Sequence, residues 1–208
     1  AGCASNADCA SGQVCVAGSR LYAHRSIHDR LIEGVAAYAK GLKLGHGLDQ
    51  TTQMGPLVNA RQAEKVAAYV SDAASAGAQV ITGGERSGPA NTFVSPAVVT
   101  GVTPDMAIVR EEIFGPVLVA QAFDDADEVI AAANDSDYGL AASIWTEGLS
   151  NAHRLSNAMK AGTVWINCHS MYDASLPIGG VKQSGWGRDS GRLAMDNYLE
   201  WKTVCAVI

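Results

Sequence analysis

Three short stretches of this chain carry residues able to do chemistry. The first is Gly12-Gln13-Val14-Cys15-Val16-Ala17-Gly18-Ser19-Arg20, where one cysteine stands among small residues. A thiol reacts as its thiolate, which needs a polar, partly exposed setting with nearby dipoles. Flanking glycines let a backbone approach a ligand closely, so the setting suits a nucleophile. The competing reading of Cys15 is a small buried hydrophobe, the usual fate of a free cysteine. The second stretch is Glu111-Glu112-Ile113-Phe114-Gly115-Pro116. Its adjacent carboxylates could form an acid/base pair, but neighbours on an extended chain point to opposite faces, which separates them and puts Glu112 and Phe114 on one side. The third, Pro177-Ile178-Gly179-Gly180-Val181-Lys182-Gln183-Ser184-Gly185, is a glycine-rich loop.

Other constellations are weaker. Cys3, Cys9 and Cys15 recur every six residues, whereas zinc sites favour ligands two to four apart together with histidines. His24, His28, His46 and His153 are isolated and read as surface residues, so no metal is implied. Cys168 and Cys205 fall in or beside apolar segments and read as core. Gly185-Trp186-Gly187-Arg188-Asp189-Ser190-Gly191 looks like a phosphate-binding glycine fingerprint, yet it lacks the strand that must precede one. With 208 residues the chain can bury one sizeable core, and 48% apolar with 17% charged residues is a globular composition. A net charge of −6 with scattered basic residues argues against a nucleic-acid or membrane surface and for a small-molecule partner. Five unpaired-looking cysteines fit a reducing, cytoplasmic setting.

The elements that must position these residues follow from periodicity. Residues 1–11 hold no large apolar side chain and read as a loose end. A short strand at Leu21–Arg25 leads into a helix starting at Ser26, with Ile27, Leu31, Val35, Ala39 and Leu42 on one face. Asn59 and Gln62 make a capping-box-like start for a helix burying Ala63, Val66, Ala67 and Val70 and stopping at Gly77. Strands are expected at Val80–Thr82, Phe93–Val99 and Val117–Ala122, then a helix over 125–134, a strand at Ala141–Trp145, a helix over 150–160 and a strand at Thr163–Asn167. A last helix over 189–198 leads to a terminal strand over 202–208. Strands alternating with long helices predict an α/β fold, a mostly parallel twisted sheet flanked by helices, with 12–201 as one domain. The loop from Cys168 to Gly187 lies beyond a strand end, where α/β folds place ligands.

Taken together, in this order and spacing, the three motifs resemble the catalytic domain of NAD(P)-dependent aldehyde dehydrogenases, from about Gly12 to Ile208 and without residues 1–11. The resemblance implies that Cys15 attacks an aldehyde carbonyl to give a thiohemiacetal, then a thioester that water cleaves. It implies that Glu112 holds the nicotinamide ribose of NAD or NADP and that Phe114 packs beside the nicotinamide ring. His169, Tyr172 and Ile178 would line the aldehyde tunnel. Gln62 and Lys65 match positions near the ribose in some relatives, or simply form a solvated helix face. The terminal strand would join an oligomerisation element and make a homo-oligomer. In such enzymes the dinucleotide-binding domain, the general-base glutamate and the oxyanion-hole asparagine precede the nucleophile, so these 208 residues are expected to be a catalytic half that is inactive alone. A non-catalytic module and a cofactor-independent thiol esterase are the alternatives.

Overall fold

The computed structural model describes residues 16–208. Cys15, and with it the expected loose end over 1–11, lies outside the described residues. The described residues divide into two compact units, with the boundary between Ala132 and Ala133.

The first unit is built on one sheet. Strand β1 (Arg20–His24) passes directly into helix α1 (Arg25–Gly41), and α2 (Ala60–Ser75) follows a long loop. Then come β2 (Gln79–Thr82), the two-residue strands β3 (Arg86–Ser87) and β4 (Phe93–Val94), β5 (Ala97–Thr100), the single turn α3 (Ala107–Arg110) and β6 (Val117–Phe123). The sheet order is β1-β6-β5-β2, with β1/β6 and β5/β6 parallel and β2/β5 antiparallel. The expected strand Phe93–Val99 is therefore two strands, interrupted at Ser95-Pro96, and β4 pairs with β3 instead of joining the sheet. Proline has no N–H to continue a ladder.

Strand alternation sends successive side chains to opposite faces. Val99, Val117 and Val119 thereby meet Ala63, Val66, Val70 and Ala73 of α2, while Val98 and Ala120 meet Ile32, Ala36 and Ala39 of α1. Burying each of the large valines contributes about 1.5–3 kcal/mol. Asn59 caps α2 by accepting from the Gln62 backbone N–H at 2.8 Å, and Gly77 ends it at φ +99°. Left-handed glycine after a helix is the usual stop.

On α1 the expected face is buried only in part, through Ala39 and Val35, which packs against the core cluster. Ile32, Ala36 and Ala39 point inward, whereas Ile27 and Leu31 are exposed and Val35 is half-buried. Both rows repeat at helical spacing. Alanines let the helix lie close on the sheet, so the row with smaller side chains is the one that packs.

The second unit begins within α4 (Ala126–Asn134) and holds β7 (Tyr138–Gly139), β8 (Ala141–Ile144), α5 (Leu149–Ala158), β9 (Thr163–Ile166) and β10 (Val181–Lys182). β8 and β9 pair in parallel, and β10 and β7 pair antiparallel. The expected last helix is a 3-10 run over Arg192–Tyr198, starting after Gly191 at φ +61°. Seven residues are short for the costly nucleus of an α-helix. Residues 202–208 form no ladder with the described residues, so no strand arises there, and Cys205 is exposed instead of core. Among the described residues no helix is long and apolar enough to cross a membrane, and no three His, Cys, Asp or Glu gather to hold a metal.

Candidate active site

In the first unit the segment from Glu111 to Gly115 is pinned against one face of α2. Ile113 is buried in the core between exposed Glu112 and exposed Phe114, and Gly115 is buried again. The burial alternates as an extended strand would, but the backbone does not: Phe114 sits at φ +56°. A bulky residue in the left-handed region is an outlier, and such a conformation costs on the order of 1–3 kcal/mol unless its surroundings impose it.

Those surroundings are specific. Gln62 Nε2 donates to the carbonyl oxygens of Ile113 at 2.9 Å and Phe114 at 3.1 Å. Lys65 Nζ donates to the Glu112 carbonyl over a long 3.4 Å and lies 5.5 Å from the Tyr69 ring centre. The Tyr69 hydroxyl donates to the Glu111 carboxylate. The Gln62 side chain therefore does not reach back to Asn59 as a capping box would; it is used on the motif. Glu111 and Glu112 are both exposed and their partners differ: Glu111 is tied through its carboxylate, Glu112 through its backbone. The result is a surface element presenting an aromatic ring, 39% exposed at Phe114, with Glu112 exposed two residues before it.

In the second unit Trp165 is the anchor. It is buried, donates from its indole N–H to the Met171 carbonyl at 2.9 Å, and receives His169 and Tyr172 edge-on at ring-centre distances of 5.0 and 5.7 Å. His169 Nδ1 lies 2.6 Å from the Ser143 hydroxyl. His169 and Tyr172 are thus brought together, both exposed, on the loop that leaves β9. Ile178 is placed separately, exchanging two 2.7 Å backbone bonds with Asp189. Within this loop Asp173 accepts from the Ser175 hydroxyl and backbone N–H, which hold its carboxyl below the usual range.

Residues that sequence reasoning did not single out hold the loops. Asn167, at φ +55°, exchanges two side-chain bonds with the backbone of Thr146, at 2.8 and 2.9 Å. Arg188 donates to the carbonyls of Gly180 and Gly187. In the run Gly185–Gly191, glycines 185, 187 and 191 all take positive φ, and the 3-10 run starts directly after the last of them. Ser143 and Tyr69 carried no signal either, because each acts on a partner far away in the sequence.

The aldehyde dehydrogenase family model matches residues 1–204. The matched span takes in residues 1–11, which the resemblance had left out. The mitochondrial aldehyde dehydrogenase of Leishmania tarentolae is 45% identical over 93% of this chain and 39% of its own length. The betaine aldehyde dehydrogenase of Brucella anthropi is 42% identical over 93% of this chain and 41% of its own length. The NAD+ complex of a Bacillus cereus aldehyde dehydrogenase superposes with a TM-score of 0.87 at 48% identity, covering 91% of this chain and 39% of that one. The chain thus spans about two fifths of the length of the curated relatives it matches. With the matching fold and a family match across nearly every residue, the chain belongs to the aldehyde dehydrogenase family.

Proposed function

We propose that residues 12–201 are the C-terminal, nucleophile-bearing catalytic domain of an NAD(P)-dependent aldehyde dehydrogenase that oxidises an aldehyde to a carboxylic acid. The observation that carries the reading is the pinned 111–115 segment, which holds Phe114 left-handed with its ring outward beside Glu112. An aromatic face and an exposed carboxylate suit the nicotinamide ring and the hydroxyls of its ribose, so the residues present fit that end of the cofactor. When bound, NAD(P)+ supplies the hydride acceptor.

The protein's own part is nucleophilic. Cys15 Sγ, as thiolate, forms a bond to the carbonyl carbon, and its own backbone N–H donates to the oxyanion. Glu112 and Phe114 hold and orient the cofactor end, while His169, Tyr172 and Ile178 face the aldehyde. As the oxyanion of this thiohemiacetal re-forms the carbonyl, hydride would leave its carbon for the acceptor, and water would cleave the resulting thioester to release the acid, a proton and the thiolate. The exposed residues 202–208 supply an oligomer contact.

In the enzymes this chain resembles a general base and a second oxyanion donor precede the nucleophile, and this reading assigns neither role to a residue of the chain. Lacking one oxyanion donor typically costs about 10²–10³ in rate. Lacking general-base help costs about 10²–10⁴ more. The 208 residues alone are therefore expected not to reduce NAD. The test is NADH absorbance with aliphatic and aromatic aldehydes, comparing the 208-residue chain, a chimera carrying the N-terminal part of the Bacillus cereus relative ahead of residue 1, and that chimera with Cys15→Ala. Activity that survives Cys15→Ala would sink the mechanism, and turnover by the 208 residues alone would sink the half-enzyme reading.

A further inference from the structure

One nitrogen, Gln62 Nε2, donates to two consecutive carbonyls, those of Ile113 and Phe114. In extended backbone successive carbonyls point to opposite sides, so a single donor cannot reach both. They converge only when the residue between them takes a helical-type conformation, as Phe114 does at φ +56°. The left-handed form also brings Gly115 against Val66, one turn further along α2. Tyr69, seven residues on from Gln62 and on the same helix face, holds Glu111 at the other end of the segment.

We propose that Gln62, with Tyr69 as second anchor, is a positioning residue: one face of α2 imposes the left-handed backbone at Phe114 and so sets the ring and the Glu112 side chain in the arrangement that meets the nicotinamide end. The role differs from a direct ribose contact by Gln62, because both amide hydrogens are directed to backbone. It rests on the reading of Glu112 and Phe114 as the cofactor-facing pair.

The experiment uses the 208-residue chain and nicotinamide mononucleotide as probe. NMR reports the intraresidue amide-to-Hα NOE at Phe114, strong only at positive φ, and the probe-induced shifts of the Glu112 and Phe114 amides. Gln62→Met keeps the side-chain length and removes both donors; the Asn59 cap bonds the backbone of residue 62 and is untouched. Tyr69→Phe removes one hydroxyl. Expected is loss of the strong NOE in Gln62→Met and about tenfold weaker probe binding, a smaller loss in Tyr69→Phe, and unchanged shifts for Trp165. A merely stabilising Gln62 would lower the unfolding midpoint and leave NOE and probe affinity alone, which would overturn the proposal, as would a Phe114 that stays left-handed in both variants. If the probe shifts neither amide in the unaltered chain while Gln62→Met still abolishes the NOE, the backbone role stands and the cofactor reading falls.

Discussion

Adding a single methyl group to Gly115 tests how tightly the motif is pressed onto α2. A Cβ built there would lie 2.4 Å from Val66 Cγ2 and 2.8 Å from Cγ1. Val66 cannot yield: its side chain is fully buried, and a valine in a helix keeps essentially one χ1 rotamer. The motif must shift instead, and overpacking of this kind costs about 1–3 kcal/mol. Gly115→Ala should lower the urea midpoint accordingly, at unchanged slope. Amide exchange at Val66 should report the loss at the contact itself. Val66→Ala alone gives up about 1.6 kcal/mol of methyl burial, at about 0.8 kcal/mol per group. In the double variant the new methyl occupies the vacated space, so the two losses should fall short of additive by about 0.5–3 kcal/mol. Strict additivity, or a Gly115→Ala chain as stable as the original, would refute the close approach.

Three further outcomes are expected. Asn59→Ala removes the α2 cap and should destabilise by about 1 kcal/mol, read by urea unfolding; no change would mean the cap is idle. Asp124 accepts three bonds from Arg25, whose guanidinium holds its carboxyl below the usual range. The pair's contribution is therefore present above the unfolded value of about 3.9 and lost as pH falls through the depressed folded value. The melting temperatures of the unaltered chain and Asp124→Asn should differ slightly near neutrality and converge in acid, and a gap that widens in acid contradicts the assignment. Brief iodoacetamide labelling with mass mapping should modify exposed Cys205 before half-buried Cys168, and Cys15 ahead of Cys168 if it is the nucleophile.

What could be read from the sequence was whatever depends on near neighbours. The Asn59 cap, the Gly77 stop and the α2 face at Ala63, Val66 and Val70 follow from spacing alone. The α1 face followed only in part: of the expected row Ala39 is buried and Val35 packs on the core, while Ile27 and Leu31 are exposed and Ile32 and Ala36, outside that row, are buried. A terminal strand was expected over 202–208 because its residues alternate, but a strand also needs a ladder partner. At the candidate site, the family resemblance implied roles for Glu112, Phe114, His169 and Tyr172. The side chains that hold them, Tyr69 and Ser143, are 42 and 26 positions from the groups they bond. The left-handed turn at Phe114 was equally illegible, since nothing in the residue type favours it.

The parallel pairing of β1 with β6 sets a timetable for folding. The Arg25–Asp124 pair just past the end of that ladder joins residues 99 positions apart. Closing a loop of that length costs roughly 4 kcal/mol in chain entropy from its logarithmic term alone. During synthesis at about 5–20 residues per second, β1 must wait some 5–20 s before its partner strand exists. Late in that interval, once Thr100 has been made, α2, β2 and β5 can already pack together, while β1 still has no β6 to pair with. The N-terminal strand of this unit is therefore its last to dock, and it is the segment most in need of shielding from other chains while the nascent protein is unfinished.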